Sequence, residues 1–119
     1  MFLFDTYAII EIIKGSHNYK GYVNSEIIIN KFILTELAYW LTSNHGPDIT
    51  DKYISKYNKF VKDFDIEIIK KAMNFRYKNK SRRMSMTDCI SYLQAKELGI
   101  KFLTGDKEFK DMENVEFVK

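Results

Sequence analysis

Four acidic side chains stand where the apolar runs of this chain break off or turn. Asp5 follows "MFLF", Asp106 follows "FLTG", Asp88 lies in "SMTD" three residues after Ser85, and Glu36 sits inside "ILTELAYWL". Taken singly, Asp5 and Asp106 read as N-caps of the helices after them, and Asp88 as the partner of Ser85 in a capping box, each worth on the order of 1 kcal/mol. Glu36 has no such explanation. A helical wheel places it between Phe32 and Trp40, at the margin of an apolar face instead of opposite it. Gathered in one place, the acids would repel: two carboxylates roughly 5 Å apart at an effective dielectric of about 20 cost on the order of 3 kcal/mol. A hard divalent cation would offset that cost, since Mg²⁺ and Mn²⁺ favour carboxylate oxygens and retain waters in an octahedral shell. Such an ion lowers the pKa of bound water and offsets charge on a phosphoryl transition state. With basic residues nearby to hold a polyanion, the pattern points to metal-dependent phosphodiester hydrolysis.

The elements that must position these acids follow from the periodicity. A strand at about 2–4 leads to a helix from about Thr6 to Lys14, in which Ala8, Ile9, Ile10, Ile12 and Ile13 form a broad apolar stripe and Gly15 is the stop. Residues 16–24 show no clear period. "EIIIN" (26–30) is a short β-branched run, and the helix after it, about Lys31 to Ser43, places Ile33, Leu37, Trp40 and Leu41 on one face. A helix from about Ile49 to Asp63 carries Tyr53, Ile54, Tyr57, Phe60 and Val61 at helical spacing; "FDI" reads as a brief strand, followed by a helix over about 67–79. Ser85 to Leu98 is helical and ends at Gly99, "IKFLT" is a strand, a helical turn covers 107–112, and "VEFV" is a last strand. This alternation predicts an α/β domain with a central, mainly parallel sheet of four to five strands covered on both faces. In such sheets ligands bind beyond the carboxyl ends of the strands, which is where Asp5 and Asp106 fall.

Composition narrows the classes. At 119 residues, 45% hydrophobic and 29% charged, residues 1–119 read as a single folded domain. There are no repeats or linkers, and the one proline, Pro47 in "NHGPD", marks a turn. No apolar run approaches a membrane span, and "MFLFDTY" lacks the basic start of a signal peptide, so a cytoplasmic protein with no membrane partner is expected. Cys89 has no partner for a disulfide and reads as a small core residue; His17 and His45 lie far apart without ligand spacing, so any metal should prefer oxygen. Charge is unevenly spread: residues 1–51 carry three Lys against six acids, residues 52–83 eleven Lys and Arg against three, and residues 84–119 five against seven. Within the basic middle, "RYKNKSRR" sets Arg76, Lys78, Lys80, Arg82 and Arg83 with no acid between them, as either a solvated helix end or a surface for the phosphates of RNA. Lys107, beside Asp106, could reach a phosphate, but nothing in the spacing singles it out.

The stretches "FDTYAIIEIIKG", "ILTELAYWL" and "MTDCISYLQAKELGIKFLTGDKEF" together resemble the PIN-domain ribonucleases, and among them the VapC-type toxins of toxin–antitoxin pairs. The resemblance covers most of the chain and is weakest over residues 44–83. Its most specific part is the last, where an acid opens a helix, a Gly ends it, and a strand finishes in Thr-x-Asp followed by Phe. The resemblance implies a three-layer α/β/α PIN-like fold and an Mg²⁺- or Mn²⁺-dependent endoribonuclease. It makes Asp5, Glu36, Asp88 and Asp106 the catalytic and metal-binding acids, with Thr6 and Thr104 as supporting hydroxyls. Implied partners are RNA, a second copy of the chain in a homodimer, and a small antitoxin protein. The alternatives are a PIN nuclease of RNA processing or decay, and an inactive PIN-like module that only binds RNA or protein. A receiver domain of two-component signalling needs an adjacent acidic pair after the first strand, and an Asp-x-Asp phosphatase a second acid two residues on. Here Asp5 is followed by Thr6 and Tyr7.

Overall fold

A computed structural model describes all of residues 1–119, and its sheet explains why the two apolar runs that end in acids are so short. Four strands, β1 (Phe2–Phe4), β2 (Ile27–Ile28), β3 (Lys101–Thr104) and β4 (Val115–Phe117), form one sheet in the order β2-β1-β3-β4. Every pairing is parallel, with Leu3 opposite Ile28 on one side and Phe102 on the other. Successive residues of a strand face opposite sides of its sheet. Leu3 and Phe4 are both fully buried, as are Phe102 and Leu103, so helices cover both faces and the domain has three layers.

Five helices surround this sheet: α1 (Thr6–Ile13), α2 (Lys31–His45), α3 (Pro47–Asn58), α4 (Ile66–Lys78) and α5 (Met86–Leu98). Helices α1 and α5 pack directly on the strands, while α3 packs on α2 and α4 on α5. None is long and apolar enough to cross a membrane. The stops are chemically plain. Gly15, Gly46 and Gly99 take positive φ after α1, α2 and α5, where a side chain would be strained. The core joins Ile9, Ile33, Leu37, Leu41 and Ala95 to the strand residues, and Tyr92 packs its ring against Phe75, Phe102 and Phe109. Cys89 is buried, as its sequence context predicts, and His17 and His45 are exposed.

One polar cluster lies inside this core. Asn30 caps α2 by accepting from Ile33 N at 3.0 Å, and its amide donates to Ser91 Oγ and Gln94 Oε1, each at 3.0 Å. Gln94 in turn donates to the carbonyl of Lys62 at 3.1 Å. The start of α2 is thereby tied to the middle of α5.

Three expectations from the sequence need correction. The helix read over 49–63 stops at Asn58, because Ile29 claims the next residues: its N–H donates to Phe60 O at 3.1 Å and its carbonyl accepts from Lys62 N at 2.8 Å. The strand-like contact therefore falls at Val61, bridged to Ile29, and not at "FDI". There, Asp65 accepts from Glu67 N and starts α4 at Ile66. The aperiodic residues 16–24 contain a 3₁₀ turn, His17–Tyr22, that buries Tyr19, and the turn predicted over 107–112 is a 3₁₀ turn limited to Lys107–Phe109.

Candidate active site

Each of the four acids is delivered by a different element, and the way each is held differs. Asp5 occupies the cap position of α1, yet its carboxylate makes no cap bond. Instead Thr104 Oγ1, at the end of β3, donates to Asp5 Oδ2 at 2.7 Å. The same hydroxyl accepts from the N–H of Asp106 at 3.0 Å, so one side chain fixes both strand ends. Asp106 accepts from Glu108 N at 3.0 Å, and Asp88 forms the capping box with Ser85, both bonds at 3.0 Å. Glu36, one and a half turns into α2, accepts from Thr6 Oγ1 at 2.7 Å. The capping explanations thus hold for Asp88 and Asp106 and fail for Asp5, while Glu36, for which the sequence offers none, is held by Thr6. A cap uses only part of a carboxylate, which has about four lone-pair sites.

Asp5, Glu36, Asp88 and Asp106 line a single open cleft of about 530 Å³ beyond the carboxyl ends of β1 and β3, together with Thr6, Tyr7, Ser85, Lys107 and Lys119. Thr104 lies fully buried beneath it. Asp5 is only 4% exposed. Its burial, then repulsion from Asp88 and Glu36, push its carboxyl up to about 8 against the pull of the Thr104 hydrogen bond. Asp88 is pushed up to about 6, first by burial and then by Asp106 and Glu36, with the bonds from Ser85 pulling the other way. The three ion pairs of the molecule, Lys70–Glu67, Lys71–Glu97 and Lys96–Glu113, involve none of the four acids. The cleft therefore gathers four carboxyl groups without a paired cation.

The donor set suits a hard metal ion, because every candidate ligand is a carboxylate or hydroxyl oxygen. No group of three or more His, Cys, Asp or Glu side chains is arranged as a ready cage. Mg²⁺ does not require one, since it is commonly bound through one or two carboxylates and keeps several waters.

The basic run sits elsewhere. Arg76 and Lys78 lie in the last turn of α4 and Lys80, Arg82 and Arg83 in the turn that follows; none lines the acidic cleft. Arg76, Lys80 and Arg82 share a separate cavity with Met73 and Tyr77, while Lys78 and Arg83 are exposed and line neither. The cations on the acidic cleft are Lys107 and Lys119. Tyr7, two residues after Asp5, and Lys119 carry no sequence signal for this role.

A family model described as the PIN domain matches residues 2–115. A search of curated protein sequences returns no match. Among solved structures, the fold is similar to that of a toxin-antitoxin complex from Klebsiella pneumoniae (TM-score 0.76, 18% identity, 98% of this chain and 96% of that one). It is also similar to DNA-bound VapBC from Salmonella typhimurium (TM-score 0.74, 18% identity, 98% and 95%). A third is VapBC2 from Rickettsia felis bound to a DNA fragment from its promoter (TM-score 0.73, 18% identity, 98% and 96%). At this identity the likeness is one of fold.

Proposed function

This chain belongs to the PIN-domain family, and on that premise we propose that it is an Mg²⁺- or Mn²⁺-dependent endoribonuclease, the toxin of a toxin–antitoxin pair. One observation carries the nuclease reading: four acids from separate elements converge on one cleft beyond the strand ends without forming an ion pair. The toxin-antitoxin complex that shares the fold supports the toxin role, with an antitoxin as partner, and we propose in addition that the chain pairs with a second copy of itself. Asp5, Glu36, Asp88 and Asp106 would hold the ion, one or two of them directly and the others through its waters, and when bound it supplies a water of lowered pKa and positive charge against the phosphoryl oxygens. The protein's own part is positioning. Thr104 and Thr6 fix the carboxylates of Asp5 and Glu36, and the caps fix those of Asp88 and Asp106. Lys107 and Lys119 offer cations on the cleft to the phosphates of the bound strand.

Purified protein should cleave RNA in Mg²⁺ and stop when the ion is chelated. Asp88→Asn and Asp106→Asn keep an oxygen acceptor for their caps, so both should fold, bind RNA and lose on the order of 10²-fold or more in turnover. Cleavage that persists in chelator, or at the wild-type rate in both variants, contradicts the assignment.

A further inference from the structure

The basic cavity at the end of α4 is unused by the acidic cleft, and its side chains are held as a binding site requires. It measures about 190 Å³ and is lined by Met73, Arg76, Tyr77, Lys80 and Arg82. Arg76 Nε donates to the carbonyl of Met84 at 3.0 Å, and Arg82 donates through one terminal nitrogen to the carbonyl of Glu108 at 2.6 Å. Each guanidinium spends one of its five N–H donors on these anchors. Neither joins an ion pair with any carboxylate, so both are fixed in place with their charge uncompensated. The anchors lie on the two segments that present the acids: Met84 precedes Ser85, which caps with Asp88, and Glu108 donates its N–H to Asp106. Tyr77, which lines the same cavity, is 70% exposed, with Lys80 Nζ 4.8 Å from its ring centroid. A ring left so bare adds little to the core.

We propose that this cavity is a nucleotide subsite that takes one unpaired nucleotide of the RNA, with its base stacked on Tyr77 and its phosphate on Arg76, Lys80 and Arg82. The inference rests on the ribonuclease reading of the acidic cleft and adds to it a position, outside that cleft, that holds one base of the strand. In an A-form duplex the base faces are stacked on one another and cannot reach a protein ring, whereas unpaired bases stack readily on exposed aromatics. The lysine over Tyr77 moves to the incoming phosphate, and the base replaces it on the ring.

Fluorescence anisotropy in EDTA, where no cleavage occurs, tests the subsite with a short single-stranded RNA and a duplex of the same sequence. Tyr77→Ala should weaken single-strand binding by about tenfold, the ~1.4 kcal/mol equivalent of one base–aromatic stack, without changing its salt dependence. Tyr77→Trp should restore the affinity, and duplex binding should not respond. Arg82→Ala should instead lower the salt slope by about 0.7, as for one lost single-strand phosphate contact. The subsite is overturned if Tyr77→Ala binds the single strand as wild type does, if it loses single strand and duplex equally, or if the wild type binds no RNA. Cleavage in Mg²⁺ is scored separately. A protein that cleaves RNA but ignores Tyr77 loses only the subsite, and one whose Tyr77-dependent binding leads to no cleavage loses only the nuclease assignment.

Discussion

The hydroxyl of Thr104 touches two acids at once, donating to Asp5 and accepting from the backbone of Asp106. Even with that bond, Asp5 keeps its proton to about pH 8 in the folded protein, against a reference value of 3.8. Between those values the folded chain holds more protons than the unfolded one, so the stability contributed by Asp5 is complete below about pH 4 and lost as pH rises through about 8. Melting temperatures of the metal-free protein should therefore fall across this window. Asp5→Asn keeps an acceptor for Thr104 and removes the titration, so its profile should be flatter and its melting temperature higher at the alkaline end. Added Mg²⁺ should raise the wild-type melting temperature at pH 8, by about 2.7 kcal/mol of stability at a hundredfold excess over its dissociation constant, and should do less for Asp5→Asn. A wild-type curve insensitive to both pH and Mg²⁺ would remove the electrostatic account of the cleft.

Between the strand β3 and the turn that carries Asp106 lies Gly105, buried, with negative φ. A Cβ there would overlap the ring of Tyr7 and the carbonyl oxygen of Val118. The glycine is needed for space, because the start of α1 and the end of β4 both press on the backbone at this point. Gly105→Ala should cost about 2 kcal/mol or more, a drop of roughly 8 °C in melting temperature that calorimetry would register. Full wild-type stability would mean that these neighbours yield freely. At this scale much was legible in advance. Apolar runs ending in acids located β1 and β3, the Ser85–Asp88 spacing located the start of α5, and Gly99 its stop. The four acids were legible for the same reason, since each sits at an element boundary or breaks an apolar face. What stayed hidden depends on distant partners. Phe60 and Val61 continue a helical stripe in sequence, and the backbone of Ile29 takes them out of the helix, Phe60 into a turn and Val61 into a bridge to Ile29. Asn30, Ser91 and Gln94 read as ordinary polar residues until they meet in the core. Lys119 reaches the cleft only because β4 runs parallel to β3.

The whole molecule leaves apolar side chains uncovered on α2 and α4, among them Phe32, Tyr39, Ile66 and Ile69. A homodimer would cover some of them, and sedimentation at micromolar concentration should give twice the chain mass of 14.2 kDa. A single species at 14.2 kDa would end the dimer assignment and leave the nuclease assignment intact. The strand order has a temporal side as well. Strand β1 lies at the centre of the sheet between β2 and β3, and Leu3 pairs with Phe102 across nearly the whole chain. Contacts so distant in sequence form late, after loop closure has been overcome. During synthesis Asp5 emerges from the ribosome first and waits, without Thr104 or Asp106, until β3 has followed it out. A nascent chain therefore carries no assembled cleft before β3 has emerged, so if the cleft cleaves RNA as proposed, the RNA of the translating ribosome meets no finished site until then.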